Sequence, residues 1–511
     1  MTAEQRRGLV ADAVAGLSVA LVLIPQALAY ADLAGMPPWH GLYVAATAPI
    51  IAAPFVSSRY LQTGPVALTA LLTAGALGGM AGTGTAEYVG LAGVLALVVG
   101  VTRLALGLLK LGAVAWLMSR PVLQGFTLGA GLLIGSSQLP AAVGVTAPPG
   151  DVLARAAWTV AHVGDWSPGA VALTAMTVGL MFGGKRVHAL FPGVLVAAAI
   201  GLVAGAKGLP VGPLLGEVPT GLPQLSLDLP WGSLDSLLVP GLVIAVVGFA
   251  EPAAIARTFA AADRETWDPN REFVSQGVAN LAAGLVAGFP VGGSFSRSGL
   301  ARVAGARSRW AGAIAGATVL VSLPLAGHLA PLPRAILGAT VLGAIFKLLD
   351  PRPLMEHWRR SRPQATTAWF TLVATLVSAP HVEYGVLAGV GLSLSVHLWR
   401  EMKAEVVIHR EGDTLTLEPV GVLWFASVPG LEDALLAALA GHMEVRRLLI
   451  DLGGAGRLDL NAADVLARLV DDGEAAGMEV ALVDVPRHAE RVLDRRLPDV
   501  PRIVRTRTPN G

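Results

Sequence analysis

The sequence contains no cysteine, which excludes disulfides, thiol catalysis and thiolate-bound metals. Charge is scarce as well: Asp, Glu, Lys and Arg make up 14% of the 511 residues and nearly cancel, leaving a net charge of +1. No basic surface interleaved with aromatics is present, so a nucleic-acid partner is excluded. The ten histidines are scattered without HExxH or comparable spacing, so neither a metal site nor a bound cofactor is expected. No catalytic constellation is visible either, which argues against an enzyme. What the chain has in excess is apolar surface, 54% of its residues with a mean hydropathy of +0.62. Such a chain reads as a polytopic α-helical protein of the lipid bilayer. Arg6 and Arg7 precede the first apolar run, which continues through Pro25-Gln26 and so predicts a first membrane helix in place of a cleaved signal.

Apolar segments are read at about 9–31, 39–56, 64–80, 88–109, 119–138, 168–182 and 188–206, then 236–256, 272–288, 294–304, 310–329, 333–349, 366–380 and 383–399. They form two sets of seven, about 1–207 and 235–400, separated by a Pro-rich stretch near Gly208–Trp231. Because seven is odd, the second set enters the membrane from the opposite side, giving 14 transmembrane segments as a 7+7 inverted repeat. With a cytoplasmic N-terminus, the inward loops carry Arg59, Lys110, Arg120, Lys185, Arg186, Arg257, Arg264, Arg271, Arg302, Arg307, Arg309 and the cluster Arg352, Arg359, Arg360 and Arg362. The outward loops keep Arg155, Lys207 and Arg334 beside Asp32, Glu87, Asp151 and Glu217, which is the positive-inside bias. After Trp399 the pattern changes. Strand-like runs at 405–409, 414–418, 447–451 and 479–484 alternate with amphipathic stretches at 431–440, 462–471 and 487–493, predicting a cytoplasmic α/β domain over 403–511 behind a transport domain over 1–402.

Two breaks interrupt the apolar runs in matching places. Gln26 to Pro65 is 39 positions and Glu251 to Pro290 is also 39, with an offset of 225 between the halves. Broken helices in corresponding positions mark the binding site of a transporter built from repeats. In the second break, Phe289 to Ser298, the glycines 292 and 293 loosen the backbone, Ser294 is placed to cap a new helix, and Ser296 and Arg297 follow in its first turn. The free N–H groups and positive dipole end of such a helix attract anions. Glu251 follows fourteen uncharged residues, which makes it a functional candidate, and Arg297 is read as an anion ligand, as counter-charge to Glu251, or as both. Gln26 offers a donor and an acceptor beside groups freed by Pro25, and Tyr30 lies one turn on. For Gln26 an ordinary interhelical hydrogen bond is the competing reading. The run Gly179 to Lys185, GLMFGGK, nearly matches a phosphate-binding loop, but Arg186 replaces the required hydroxyl and the run ends a membrane helix, so ATP drive is rejected.

The runs PQALAYA from Pro25, LAGMPP from Leu33, Gly41-Leu42-Tyr43, Ser58-Arg59 and Gly64-Pro65-Val66-Ala67 closely resemble the signature of the SulP anion transporters, a family that includes sulfate permeases, pendrin and prestin. VGFAE from Val247, Asn270-Arg271-Glu272 and GSFSRS from Gly293 resemble its second half, and the C-terminal domain resembles that family's STAS domain. The resemblance implies a core domain moving against a gate domain, with the anion between the third and tenth helices. Positions matching that pocket are Gln26, Tyr30, Val66, Phe295, Ser296 and Arg297, with Glu251 on the eighth helix in the coupling role. It further implies a homodimer in the cell inner membrane. Asp459-Leu460-Asn461 stands where phosphorylatable STAS domains carry a serine pair, so phosphoregulation there is not expected. Taken together, these readings predict a secondary transporter of a small inorganic or organic anion by alternating access, with a proton as coupling ion. A Na+-coupled symporter or an exchanger is the alternative, and an anion channel a more distant one.

Overall fold

Every one of the fourteen apolar segments falls on a helix in the structure, a computed structural model that describes residues 3–116, 118–188, 190–402, 405–440 and 444–504. The helices are α1 (Ala3–Leu33), α2 (Trp39–Ala52), α3 (Ala67–Leu77), α4 (Ala86–Leu108), α5 (Arg120–Val143), α6 (Val152–Ala161), α7 (Pro168–Val187) and α8 (Gly193–Ala206). They continue with α9 (Leu234–Asp263), α10 (Pro269–Leu285), α11 (Phe295–Val303), α12 (Trp310–Ser322), α13 (Arg334–Ile345), α14 (Arg352–Arg360), α15 (Arg362–Val377) and α16 (Val382–Glu401). Six helical stretches are long and apolar enough to cross a membrane by themselves: 6–33, 86–108, 120–143, 231–263, 310–329 and 382–401. Two helices have no counterpart among the apolar segments. α6 is capped by Asp151, whose carboxylate accepts the Ala154 N–H at 2.7 Å, and α14 buries only Leu354 while carrying Arg352, Arg359 and Arg360. Each is too short and too one-sided to register as an apolar run.

The outward faces invert the logic of a water-soluble protein. On α1, Val10, Val14, Leu17 and Leu21 recur at spacings of four, three and four and stand 64%, 46%, 50% and 38% exposed. A stripe of that kind is a lipid-facing surface. Inside, the helices meet through residues too small to hold them apart, as expected where lipid removes the usual hydrophobic drive for helix association. A methyl group on Gly100 would come within 2.7 Å of the Leu281 nitrogen, and one on Gly277 within 2.6 Å of the Leu104 nitrogen, so α4 and α10 run almost backbone to backbone. Gly125 on α5 and Gly385 on α16 likewise abut α15 at Ala368 and Thr375, whose neighbours Thr371 and Thr367 form a ladder of hydroxyl bonds to the carbonyl four residues back. The start of α1 is tied to the second half: Asp12, 3% exposed, accepts the N–H groups of Arg307 and Ser308 at 2.7 and 2.9 Å and the Ser308 hydroxyl at 2.5 Å. The near-match to a phosphate loop at Gly179–Lys185 lies wholly within α7, so no loop exists there to cradle a phosphate.

Two short strands, β1 (Thr63–Gly64) and β2 (Gly292–Gly293), pair antiparallel inside this helical unit. The chain divides into compact units over 1–391 and 392–511, and the boundary expected at residue 403 falls outside the described residues. The second unit contains β3 (Glu405–Glu411), β4 (Thr414–Leu423), α17 (Val428–Ala440), β5 (Arg447–Asp451), β6 (Ala455–Leu458), α18 (Leu460–Ala475), β7 (Glu479–Val483), α19 (Arg487–Arg496) and β8 (Arg502–Ile503). Its sheet runs β3-β4-β5-β7-β8, with a β3–β4 hairpin followed by parallel pairing, and β6 adds to the far end of β4. Leu417, Leu448, Ile450, Leu466 and Leu482 are fully buried between sheet and helices. Strands β6 and β8 escape sequence reading because four and two residues are too few to show alternation.

That core predicts an autonomous fold. A fragment starting near residue 403 should be soluble and unfold in a single urea transition, and Leu448→Ala, at a site with no exposed surface, should lower its stability by about 2–5 kcal/mol. A fragment without a cooperative transition would show that this core is incomplete.

Candidate anion site

The middle of the helical unit is organised by two helices that begin inside it. Val66 precedes α3 in an extended conformation (φ −140°, ψ 152°), and Ser294 precedes α11 in another (φ −108°, ψ 120°), its hydroxyl accepting the Arg297 N–H at 3.4 Å. β1 and β2 lie just ahead of the two helices and hold their starts together, Thr63 opposite Gly293 and Gly64 opposite Gly292. The glycine pair serves a different purpose from the one its sequence suggests. Neither residue has positive φ; instead a methyl on Gly293 would sit 2.7 Å from a Leu61 methyl and 3.2 Å from Pro252, and one on Gly292 3.1 Å from a Val66 methyl. Close approach is the constraint, while Gly64 is the residue that needs positive φ, at 153°.

Main chain that leaves helical geometry in an apolar interior must find partners for its polar groups. Here the two interrupted segments bond each other, and side chains from nearby helices supply the rest. The Ser294 N–H reaches the Gln62 carbonyl at 3.0 Å, and the Gln62 N–H reaches the Ser298 hydroxyl at 2.9 Å. The Gln276 amide donates to the Thr63 hydroxyl at 2.8 Å. Asn280 accepts the Val291 N–H at 2.9 Å and donates to the Val291 carbonyl at 3.2 Å, closing both ends of that peptide. Further along α10, Glu272, fully buried, accepts the N–H groups of Ser57 and Ser58 at 3.2 and 3.1 Å and thereby fixes the loop that leads into β1.

Against this frame the residues singled out by sequence take definite positions. Gln26, Tyr30, Val66 and Arg297 are buried, with 2%, 4%, 5% and 1% of their surface exposed, whereas Phe295 is 47% exposed and Ser296 is exposed beside it. Arg297 donates to the Gln26 side-chain oxygen at 3.2 Å, a bond across 271 positions of sequence, while its Nε and second terminal nitrogen are buried without a partner. Glu251 is half-buried. Its electrostatic neighbours are Arg297 and the Phe295 main chain, and Tyr30 shares the same surroundings, but no salt bridge joins Glu251 to Arg297. Of the two readings of Arg297, the geometry leaves room for an anion ligand, because a guanidinium with two idle nitrogens beside a helix start can still accept a negatively charged oxygen. Sequence reasoning missed Asn280, Gln276 and Glu272 as parts of this frame, and it missed Arg103, which donates to the carbonyls of Ala245, Val291 and Ile244 at 3.0, 2.8 and 3.2 Å. The signal for Arg103 was present: a lone arginine inside the run 88–109.

The sulfate permease family profile matches residues 9–371, and the STAS domain profile matches residues 405–496. The chain belongs to the sulfate permease family. This permease is 38% identical over 399 residues to a probable sulfate transporter of Mycobacterium tuberculosis, covering 76% of the present chain and 70% of the relative. It is 28% identical to the sodium-independent sulfate anion transporter of Bos taurus, over 94% of this chain and 85% of that one. The fold is that of the murine Solute Carrier 26 family member A9 anion transporter in its inward-facing state, with a TM-score of 0.84 at 21% identity over 95% and 87% of the two chains. The transmembrane domain of a cyanobacterium bicarbonate transporter also aligns, with a TM-score of 0.62 at 23% identity over 76% of this chain and 98% of that one. The permease is therefore an integral multi-pass membrane protein of an anion-transporting family, not an enzyme, and it carries a C-terminal α/β STAS domain.

The polar frame generates a stability prediction that does not depend on transport. Asn280→Ala strands the Val291 N–H, which should cost about 1–3 kcal/mol and appear as a lowered melting temperature of the detergent-purified permease. An unchanged melting curve would show that the Val291 peptide finds other partners.

Proposed function

We propose that this protein is a secondary active transporter of a small anion (sulfate, bicarbonate or a dicarboxylate such as fumarate) that works by alternating access as a proton symporter. The observation that carries the reading is the meeting of two helix starts around the buried Arg297, two of whose nitrogens lack partners. Two positive helix ends and a guanidinium make an electropositive cradle in a region where charge is otherwise excluded. In this reading Gln26 orients Arg297, Val66 and Phe295 shape the walls, Tyr30 and Ser296 offer hydroxyls, and the N–H groups opening α3 and α11 hold anionic oxygens. Glu251, beside Arg297, carries the coupling proton. The name of the bovine relative, sodium-independent, favours the proton over Na+, and Na+-coupled symport or exchange is the alternative. The protein acts as a homodimer in the cell inner membrane, with a transport domain over 1–402 and a cytoplasmic STAS domain over 403–511.

Proteoliposomes given a panel of labelled anions test the reading. Saturable uptake that an inward proton gradient drives above equilibrium is expected; accumulation driven by an outward anion gradient and not by protons would mark an exchanger, and uptake that no chemical ion gradient drives above equilibrium a channel. Two substitutions divide the roles. Ser296→Trp should abolish binding and uptake together, because the indole occupies the space in front of the α11 N–H groups, and unchanged affinity would move the site elsewhere. Glu251→Gln mimics the protonated acid at nearly equal volume, so accumulation should fail while binding measured by calorimetry stays within about tenfold, roughly 1.4 kcal/mol. A stable Gln variant that still accumulates anion when driven by an inward proton gradient would remove Glu251 from coupling.

A further inference from the structure

Arg103 is the other fully buried arginine of the helical unit, with no surface exposed. Three of its nitrogens are engaged by main-chain carbonyls, of Ala245 and Ile244 on α9 and of Val291 ahead of β2. No acidic side chain lies in ion-pair range of it among the described residues. Carbonyls orient partial charge toward a guanidinium but leave its unit charge uncancelled, and the low-dielectric interior transmits that charge farther than water would.

Its place in the fold aims the charge at the anion site. One terminal nitrogen of Arg103 lies 2.7 Å from where a Gly248 methyl would stand, and Thr69 of α3 lies 3.3 Å from the same point. A methyl on Gly292 would in turn stand 3.6 Å from both the Gly248 carbonyl and Thr69, and 3.1 Å from the Val66 methyl that precedes α3. Arg103 thus sits one layer behind the β1–β2 pair that joins the two helix starts, on the order of 10 Å from an anion held there by chain dimensions. At that separation, with an effective dielectric constant near 20, one fixed charge changes the affinity of an anion by roughly tenfold per unit of the anion's charge.

We propose that Arg103 sets the charge preference of the site: without touching the anion, it favours doubly charged over singly charged ligands. The role rests on the location of the anion site proposed above. A purely mechanical staple between α4, α9 and β2 would influence stability and affect all anions alike, whereas a field effect scales with anion charge.

The test uses the full-length permease in detergent, with competition binding of sulfate and chloride compared among the parent, Arg103→Gln, Arg103→Lys and Ser296→Trp. Arg103→Gln should weaken sulfate by roughly a hundredfold and chloride by roughly tenfold, so the sulfate-to-chloride affinity ratio falls about tenfold. Arg103→Lys keeps the charge but loses the guanidinium fork, so its melting temperature should drop while the ratio stays within threefold of the parent. A ratio unchanged in Arg103→Gln, or lowered tenfold in Arg103→Lys, overturns the proposal; if the glutamine variant does not fold, Arg103→Met, which also removes the charge, takes its place with the same expected and overturning ratios. Ser296→Trp separates the two levels. If it blocks both anions while Arg103→Gln leaves the ratio unchanged, only the charge-selection role fails; if it binds both as the parent does, the site itself is misplaced.

Discussion

Everything in the helical unit depends on keeping broken main chain satisfied where there is no water to satisfy it. The starts of α3 and α11 expose N–H groups in an apolar interior, and that exposure is what equips them to meet an anion. Left alone, those segments would refold into continuous helix or collapse. The β1–β2 pair, Asn280, Ser298 and Arg103 hold the breaks open by bonding main-chain groups of β1, β2, Gln62 and Val291. In the proposed site, the N–H groups that this frame leaves unbonded are the ones offered to an anion.

This division explains why the frame and the ligand-facing groups differ in exposure. Asn280, Gln276 and Glu272 are fully buried because their work is done once the chain folds. Phe295 and Ser296 stay exposed at the start of α11, where the proposed site opens, and Phe259 stacks beside Phe295 with ring centres 6.0 Å apart. Glycines along α4, α5, α10 and α16 let the surrounding helices close around the frame without side chains in between. A methyl added at these positions collides with backbone, which cannot yield as a side-chain tip can.

Much of this was legible in the residues. Apolar runs located every long helix, and Pro65 and Pro290 marked the interruptions ahead of α3 and α11, but the helix breaks read at Pro25-Gln26 and Glu251-Pro252 are absent: α1 and α9 run unbroken through both prolines, whose lost main-chain bonds the surrounding packing tolerates. The C-terminal strands at 447–451 and 479–483 showed as short β-like runs lying between amphipathic stretches. What stayed hidden depends on contacts between distant parts of the chain. The glycines at 292 and 293 read as sources of backbone freedom when their true constraint, the nearness of Leu61, Pro252 and Val66, lies elsewhere in the sequence. Arg297 read as an anion ligand, as counter-charge to Glu251, or as both, and its charge does act on Glu251, but its hydrogen bond goes to Gln26, 271 positions away, which no local pattern announces. Nothing in the spacing of Gln276 and Asn280 on α10 says that one faces the Thr63 hydroxyl and the other the main chain of Val291.

The anchoring of Asp12 to the turn between α11 and α12 has a bearing on how the protein is made. A carboxylate in the first membrane helix waits for N–H groups 295 and 296 positions further on, and the Gln62 to Ser298 bond spans 236. During synthesis, at roughly 5–20 residues per second, α1 and the first break must therefore spend tens of seconds inserted but incomplete. Biogenesis of the first half thus proceeds on credit from the second. Asp12 and the start of α3 therefore gain their partners only after α11 and the turn beyond it have been made.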